Sequence, residues 1–183
     1  MNKVLYIVRH CQAIGQEPGA LLTSEGYIQA VALADLLATA AIERIISSPF
    51  ARAYQSVVPL AENLCLKIDT DERLVERVLS KSPLDNWREH LADTFTNLDL
   101  CMDGGESSRA AMDRVGSVMD EILQHDTTTT AVVTHGNLMI LLLKCLDDRI
   151  GFVEWESLKN PDVYRVEFKN DDYNDLFVIN FLC

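Results

Sequence analysis

Apolar positions along the chain fall into two spacings. Val4-Leu5-Tyr6-Ile7-Val8 is a continuous run of β-branched, aromatic and aliphatic residues. Such a run predicts a strand buried on both faces, central in a sheet. Thr130 to Thr134 predicts a second buried strand, and Ile45-Ile46 a short third. Between them the period changes to that of a helix. From Ser24 to Ala38, residues Ala30, Val31, Ala34, Leu37 and Ala38 share one face, with Thr23 as N-cap. Ser47-Ser48-Pro49 ends the short strand and opens another helix, with Ser48 as cap and Pro49 in the first turn. Ala53, Val57, Leu60, Ala61 and Leu64 mark its buried face, and Pro59 inside it predicts a kink or a break. A long helix is expected from Ser107 to His125 on Ala111, Val115, Val118, Ile122 and Leu123. Gly136 to Leu146 is almost wholly apolar and should lie deep.

The remaining stretches are less regular. Gly15, Pro18 and Gly19 make residues 11–22 a loop. Residues 71–106 carry Pro83, Trp87, Gly104 and Gly105, with one short helix expected around 84–92. Val163 to Phe168 and Leu176 to Phe181 read as two final strands joined by the polar turn Lys169-Asn170-Asp171-Asp172. The apolar end of the chain is expected as a strand of the sheet rather than a dimer patch. Strands alternating with helices favour a layered α/β domain with a largely parallel sheet and an antiparallel edge. Ligands of such sheets sit beyond the C-terminal ends of the strands. Arg9-His10 and Thr134-His135-Gly136 both follow a predicted strand directly, which draws two histidines toward one place.

Composition narrows the field. The 183 residues suit one domain with a real core, and 48% hydrophobic with 24% charged residues is ordinary for a globular chain. The net charge of −12 argues against nucleic acid and anionic membranes as partners. It leaves room for a small phosphorylated substrate, because an arginine cluster can reverse the field inside one pocket. The five cysteines are odd in number, widely spaced and without a CxxC pair. A zinc knuckle is therefore not expected, and reduced thiols in the cytoplasm are. Val4 to Val8 is too short for the apolar core of a signal peptide, and nothing approaches the ~20 apolar residues of a membrane span. The His and Cys spacings suggest no metal. Oligomeric state is left open.

Four histidines are candidates for chemistry. His90 and His125 lie in polar contexts toward helix ends and read as surface residues. His10 and His135 differ, because each follows a buried strand and Arg9 adjoins the first. Phosphoryl transfer needs a nucleophile in line with the leaving oxygen and fixed positive charge around the phosphoryl oxygens. Arginine supplies planar, paired donors. Arg52 stands at the start of a predicted helix, where an anion is also favoured. An acid must protonate the leaving alkoxide. Glu76 is one candidate among 28 acids.

Val8-Arg9-His10, Leu22-Thr23-Ser24-Glu25-Gly26 with Gln29-Ala30, Ser47-Ser48-Pro49 with Arg52-Ala53, Gly104-Gly105-Glu106-Ser107, and Val132-Val133-Thr134-His135-Gly136 occur in that order. Together they resemble the histidine phosphatase superfamily, also called the phosphoglycerate mutase-like family, from about residue 4 to residue 143. The resemblance implies a three-layer α/β/α domain over residues 1–183, with 71–106 as a lid or specificity insertion. It implies His10 as the nucleophile that becomes phosphohistidine, with Arg9, Arg52 and His135 on the phosphoryl group. Leu74-Val75-Glu76 resembles the family's Leu-x-Glu segment and makes Glu76 the proton donor. No cofactor is implied. The substrate class would be a small phosphorylated metabolite or a phosphoprotein.

The chain departs from the pattern after His10. Cys11 stands where the family has glycine, which costs little if φ is negative there and strains the backbone if φ is positive. Ala13 lacks a hydroxyl, and Gln16 stands in for a phosphate-binding Asn. After Glu76 the sequence Arg77-Val78-Leu79-Ser80 lacks the usual continuation. His10-Cys11 also raises a cysteine phosphatase, which needs arginine six positions after the cysteine; Glu17 stands there. The reading is thus a phosphatase acting through phosphohistidine. The alternatives are a phosphoglycerate mutase-type isomerase, which is typically longer, or an impaired phosphate-binding regulatory protein. Trp87, Arg77, Lys81 and Arg88 are candidate specificity residues.

Overall fold

The computed structural model describes residues 2–169 and 176–181. Six strands form one sheet, β1 (Lys3–Arg9), β2 (Arg44–Ser47), β3 (Ile68–Thr70), β4 (Thr129–Thr134), β5 (Asp162–Phe168) and β6 (Leu176–Phe181), in the order β3-β2-β4-β1-β5-β6. The first four are parallel, whereas β5 is antiparallel to β1 and β6 antiparallel to β5. The expected antiparallel edge is therefore a pair of strands, with Leu176–Phe181 outermost. The turn expected between them lies, after Lys169, outside the described residues. The helices are α1 (Ser24–Leu37), α2 (Ala51–Leu64), α3 (Trp87–Thr96), α4 (Ser108–Gln124), α5 (Gly136–Leu146) and α6 (Phe152–Ser157).

The pleat of the strands sorts the core into two layers. Leu5, Ile7, Ile46 and Val132 face α4 and α5, together with Leu91 and Phe95 of α3. Tyr6, Val8, Ile45, Ala131 and Val133 face α1 and α2. With both faces covered, β1 and β4 read as continuous apolar runs, as the sequence pattern implied. The result is a three-layer α/β/α domain. No helix among the described residues is long and apolar enough to cross a membrane.

Several expectations need correction. On α1 the buried residue is Leu33, 1% exposed, whereas Val31 is 54% exposed. The i, i+3, i+4, i+7 stripe is Ala30, Leu33, Ala34 and Leu37. Helix α2 begins at Ala51 with Phe50 as N-cap and no side-chain cap, and it runs unbroken through Pro59. A proline inside a helix costs about 3 kcal/mol. Fully burying Val57 and Leu60 against the sheet contributes about 1.5–3 kcal/mol each, enough to hold the helix together. The short helix of the irregular stretch starts at Trp87 and reaches Thr96, later than expected. Strand β3 and helix α6 were not foreseen. The first has three residues, too few for a period, and the second has six residues, none buried.

Candidate active site

The parallel register decides what meets at the C-terminal end of the sheet. Arg9 of β1 pairs with Thr134 of β4, and Ser47 of β2 with Val133. The ladder continues one residue further, since the His10 N–H donates to Thr134 O at 3.1 Å and the Ser48 N–H to Val133 O at 2.9 Å. His10, His135 and Ser48 therefore leave three adjacent strands side by side. The two imidazoles lie edge to face, 5.1 Å between centroids, and the His135 ring meets Phe50 in the same way at 5.0 Å.

His10 is 6% exposed and both its nitrogens have partners that fix its state. Nδ1–H donates to the Cys11 carbonyl at 2.7 Å, and Nε2 accepts from Arg52 Nε–H at 3.1 Å. A carbonyl only accepts and a guanidinium only donates, so His10 is the neutral Nδ1–H tautomer with its lone pair on Nε2. Burial pushes its pKa down to about 4; the Cys11 carbonyl opposes this, and the charges of Arg52 and Arg9 add to it. His135, wholly buried, is driven well below the ordinary histidine range by desolvation first, then by His10, Arg52, Arg114 and Arg9.

Arg52, 1% exposed, comes from the first turn of α2. Its Nη1 donates to the carbonyls of Gln16 and Glu17 at 2.9 and 3.0 Å, and its Cζ lies 5.0 Å from the centre of the Phe50 ring. Gln16 thus meets Arg52 through its backbone, and its side chain is exposed. Arg9 donates through Nη1 to Lys159 O at 3.1 Å, and its Nε is buried without a partner among the described residues. Burial lowers both arginines and the charge of Glu76 raises both again. Glu76 sits on the N-terminus of α5. Its Oε2 accepts from Asn137 N at 3.1 Å, and its Oε1 from Leu138 N at 3.1 Å and Arg77 N at 2.9 Å.

Two arginines, two buried imidazoles and one carboxylate are therefore gathered at one strand end. The arrangement suits a compact anion attacked by an uncharged nitrogen. Cys11 is fully buried among Leu22, Ala53 and Val133, and its φ is not positive, so its Cβ brings no left-handed strain. Its N–H donates to Ser56 Oγ at 2.8 Å, and Ser56 Oγ–H to Arg52 O at 2.6 Å, which ties the loop after His10 to α2. Gly136 is needed for a close approach: a Cβ there would lie 3.1 Å from Arg9 Nε.

Sequence reasoning missed several contributors. Asn160 Nδ2 donates to His10 O at 2.7 Å, and Lys159 lends its carbonyl to Arg9. Ser48, expected as a helix cap, places its hydroxyl 2.8 Å from His135 Nε2. Asn137, directly after the His135-Gly136 pair, buries a side-chain amide with neither atom partnered among the described residues. Ser48 lies within a quoted motif and Asn137 directly follows one, and only that placement could have flagged their roles; Asn160 had no signal. Of the expected specificity residues, Arg77 binds Glu106 O, Thr94 Oγ1 and Ser108 Oγ, bracing the 71–106 stretch internally through α3 and tying it to α4. Trp87 packs edge-on against Trp155, 6.1 Å between centroids, and Arg88 pairs with Glu156. Lys81 meets Asp103 through its backbone. His90 and His125 lie outside the cluster; His125 is exposed and bonds Thr127. Among the described residues no group of three His, Cys, Asp or Glu side chains is placed to hold a metal.

Comparison with known proteins agrees in one direction. The model of the histidine phosphatase superfamily, branch 1, matches residues 5–178. Phosphoserine phosphatase 1 of Hydrogenobacter thermophilus is 30% identical over 155 residues, covering 72% of this chain and 70% of that protein. A protein of Shigella dysenteriae named probable phosphoglycerate mutase GpmB is 28% identical over 188 residues, covering 90% and 85%. In fold, the chain is similar to a mycobacterial glucosyl-3-phosphoglycerate phosphatase, with a TM-score of 0.76 at 23% identity over 98% of this chain and 97% of that one.

Proposed function

We propose, for a chain that belongs to the histidine phosphatase superfamily, that it hydrolyses phosphate monoesters through a phosphohistidine on His10. The observation that carries this reading is the state of His10. A neutral imidazole, locked as the Nδ1–H tautomer, holds its Nε2 lone pair 3.1 Å from a buried guanidinium nitrogen.

The steps follow from that geometry. Arg52 Nε–H occupies the Nε2 lone pair. A phosphoryl oxygen takes over that hydrogen bond and frees the nitrogen to attack phosphorus. Arg9, Arg52 and His135 bind the phosphoryl oxygens, and the exposed amide of Gln16 adds a donor from the loop. Glu76 takes up a proton as the phosphate dianion enters; as the N–P bond forms, the ester P–O bond breaks, and Glu76 gives that proton to the leaving oxygen. Glu76 then takes a proton from water. The water oxygen attacks phosphorus, the N–P bond breaks, and inorganic phosphate leaves. The substrate is a small phosphorylated metabolite or a phosphoprotein, handled in the cytoplasm by one domain whose 71–106 stretch covers the site. The name of the Hydrogenobacter relative supports a hydrolase.

The test is a trapped intermediate. Incubation with an aryl phosphate should give an acid-labile, alkali-stable phosphoprotein in the wild type and none in His10→Ala. A signal that persists in His10→Ala overturns the mechanism. Inactivity of the pure protein toward aryl phosphates, from about pH 5 to about pH 8, overturns the phosphatase reading for simple esters. The name of the Shigella relative favours one second reading, a mutase. It would appear as interconversion of 2- and 3-phosphoglycerate with a bisphosphoglycerate primer.

A further inference from the structure

The neutral form of His135 has two tautomers, and only one of them can offer a hydrogen to a phosphoryl oxygen from the unpartnered edge of the ring. Its Nε2 lies 2.8 Å from Ser48 Oγ, and its Nδ1 is buried with no protein partner among the described residues. The hydroxyl of Ser48 decides between them. Ser48 is fully buried and is held by its own backbone, with N–H on Val133 O at 2.9 Å and its carbonyl accepting from Ser47 Oγ at 2.9 Å. Its Oγ already accepts from Phe50 N–H at 3.3 Å.

A serine hydroxyl has one hydrogen to donate. Among the described residues the hydrogen-bond partners of Ser48 Oγ are Phe50 N, which can only donate, and His135 Nε2. If Nε2 carried the ring proton, Ser48 Oγ would accept twice and its own hydrogen would be buried without an acceptor. Nδ1 would then be a bare lone pair, unable to bind an anion. If Nδ1 carries the proton, Ser48 donates to Nε2, and the one group left unpaired is an N–H. That is the group a phosphoryl oxygen accepts.

We propose that Ser48 is a positioning residue that fixes His135 as the Nδ1–H tautomer, so that Nδ1–H is the donor His135 presents to the phosphoryl group. This rests on the phosphatase reading for its purpose, though not for its geometry. It explains why Ser48 does not cap α2: its hydroxyl is turned to the histidine, and α2 starts later, with Ala51 N–H on Pro18 O at 2.9 Å. It also makes the two imidazoles a matched pair. The Cys11 carbonyl leaves His10 with a bare Nε2 for attack, and the Ser48 hydroxyl leaves His135 with a protonated Nδ1 for binding.

The test reads the tautomer directly. In protein with ¹⁵N-labelled histidine at neutral pH, long-range proton–nitrogen correlations separate protonated from bare ring nitrogens. The His135 signals are those lost in His135→Asn. The wild type should show Nδ1 protonated and Nε2 bare; the reverse pattern overturns the proposal. In Ser48→Ala, His135 should populate the Nε2–H form, and kcat toward an aryl phosphate should fall about tenfold to a hundredfold. Ser48→Thr, which keeps the hydroxyl, should restore both. An unchanged tautomer in folded Ser48→Ala overturns the proposal, and if that variant does not fold, the wild-type spectrum still decides. A wild type with the expected tautomer and no turnover would support the assignment of Ser48 while removing the phosphatase reading.

Discussion

His10 shows how a side chain receives its chemical state from neighbours rather than from its own identity. Its resonances should not titrate until about pH 4, where burial and two arginines place its pKa. The linkage has a definite sign. The unfolded histidine binds its proton near pH 6.5 and the folded one only near 4, so the folded state loses stability as pH falls between those values. The loss is on the order of 3 kcal/mol and is complete below about pH 4. Because His135 is shifted in the same direction, the difference in denaturant unfolding between wild type and His10→Ala across that range measures it, and equal pH profiles for the two would contradict a neutral, buried His10. Arg52 carries a second prediction. Lysine keeps the charge but cannot reach His10 and the Gln16 and Glu17 carbonyls at once. Arg52→Lys should therefore lower kcat/KM about a hundredfold or more, seen in steady-state kinetics with an aryl phosphate.

At the scale of elements, each helix that serves the site is set by a detail at its start. Thr23 Oγ1 accepts from Gly26 N–H at 2.9 Å and donates to Gln12 Oε1 at 2.9 Å, so the α1 cap also fastens the loop behind His10. Thr23→Ala should cost about 1 kcal/mol in thermal or denaturant unfolding. The α5 start is set by space. Gly136→Ala would press a Cβ against Arg9, with Nε at 3.1 Å and Cζ at 3.3 Å. Phosphate affinity should weaken roughly tenfold while the melting temperature barely moves, because displacing a binding group costs positioning rather than packing. Calorimetric titration with inorganic phosphate, set beside a thermal melt, separates the two. This scale also shows what the sequence could tell. The long periodic segments carried their own signal, so α1, α4, α5, β1 and β4 were legible nearly to the residue. Thr23 was legible as a cap because capping is local, whereas Ser107, expected as the first residue of α4, is its N-cap. Ser48 was misread for the same reason: its Ser-Pro context looks like a cap, and only the neighbouring strand reveals that its hydroxyl has a histidine to meet. Asn160 and Ser56 were invisible, since their partners lie 150 and 45 residues away.

At the scale of the molecule, the proposed phosphate pocket sits in a strongly anionic protein. With a net charge of −12, the surface repels a phosphorylated substrate, while Arg9 and Arg52 attract it only at short range. Raising ionic strength from about 0.01 to about 0.15 M shortens the Debye length from about 30 to about 8 Å. That screens the repulsion more than the buried contacts, so kcat/KM should rise with salt. A falling profile would mean that the pocket's own field reaches into solvent. The reversed direction of β5 has a consequence in time. Because β5 runs against β1, it starts where β1 ends, and the Lys159-Asn160 turn before it is what reaches Arg9 and His10. A growing chain will have made every family motif by residue 136 and still lack both contacts. On the proposed function, competence therefore arrives late in synthesis, when the segment before β5 has emerged and docked, so a ribosome-bound chain ending at Leu146 would carry His10 without the contact that steadies it.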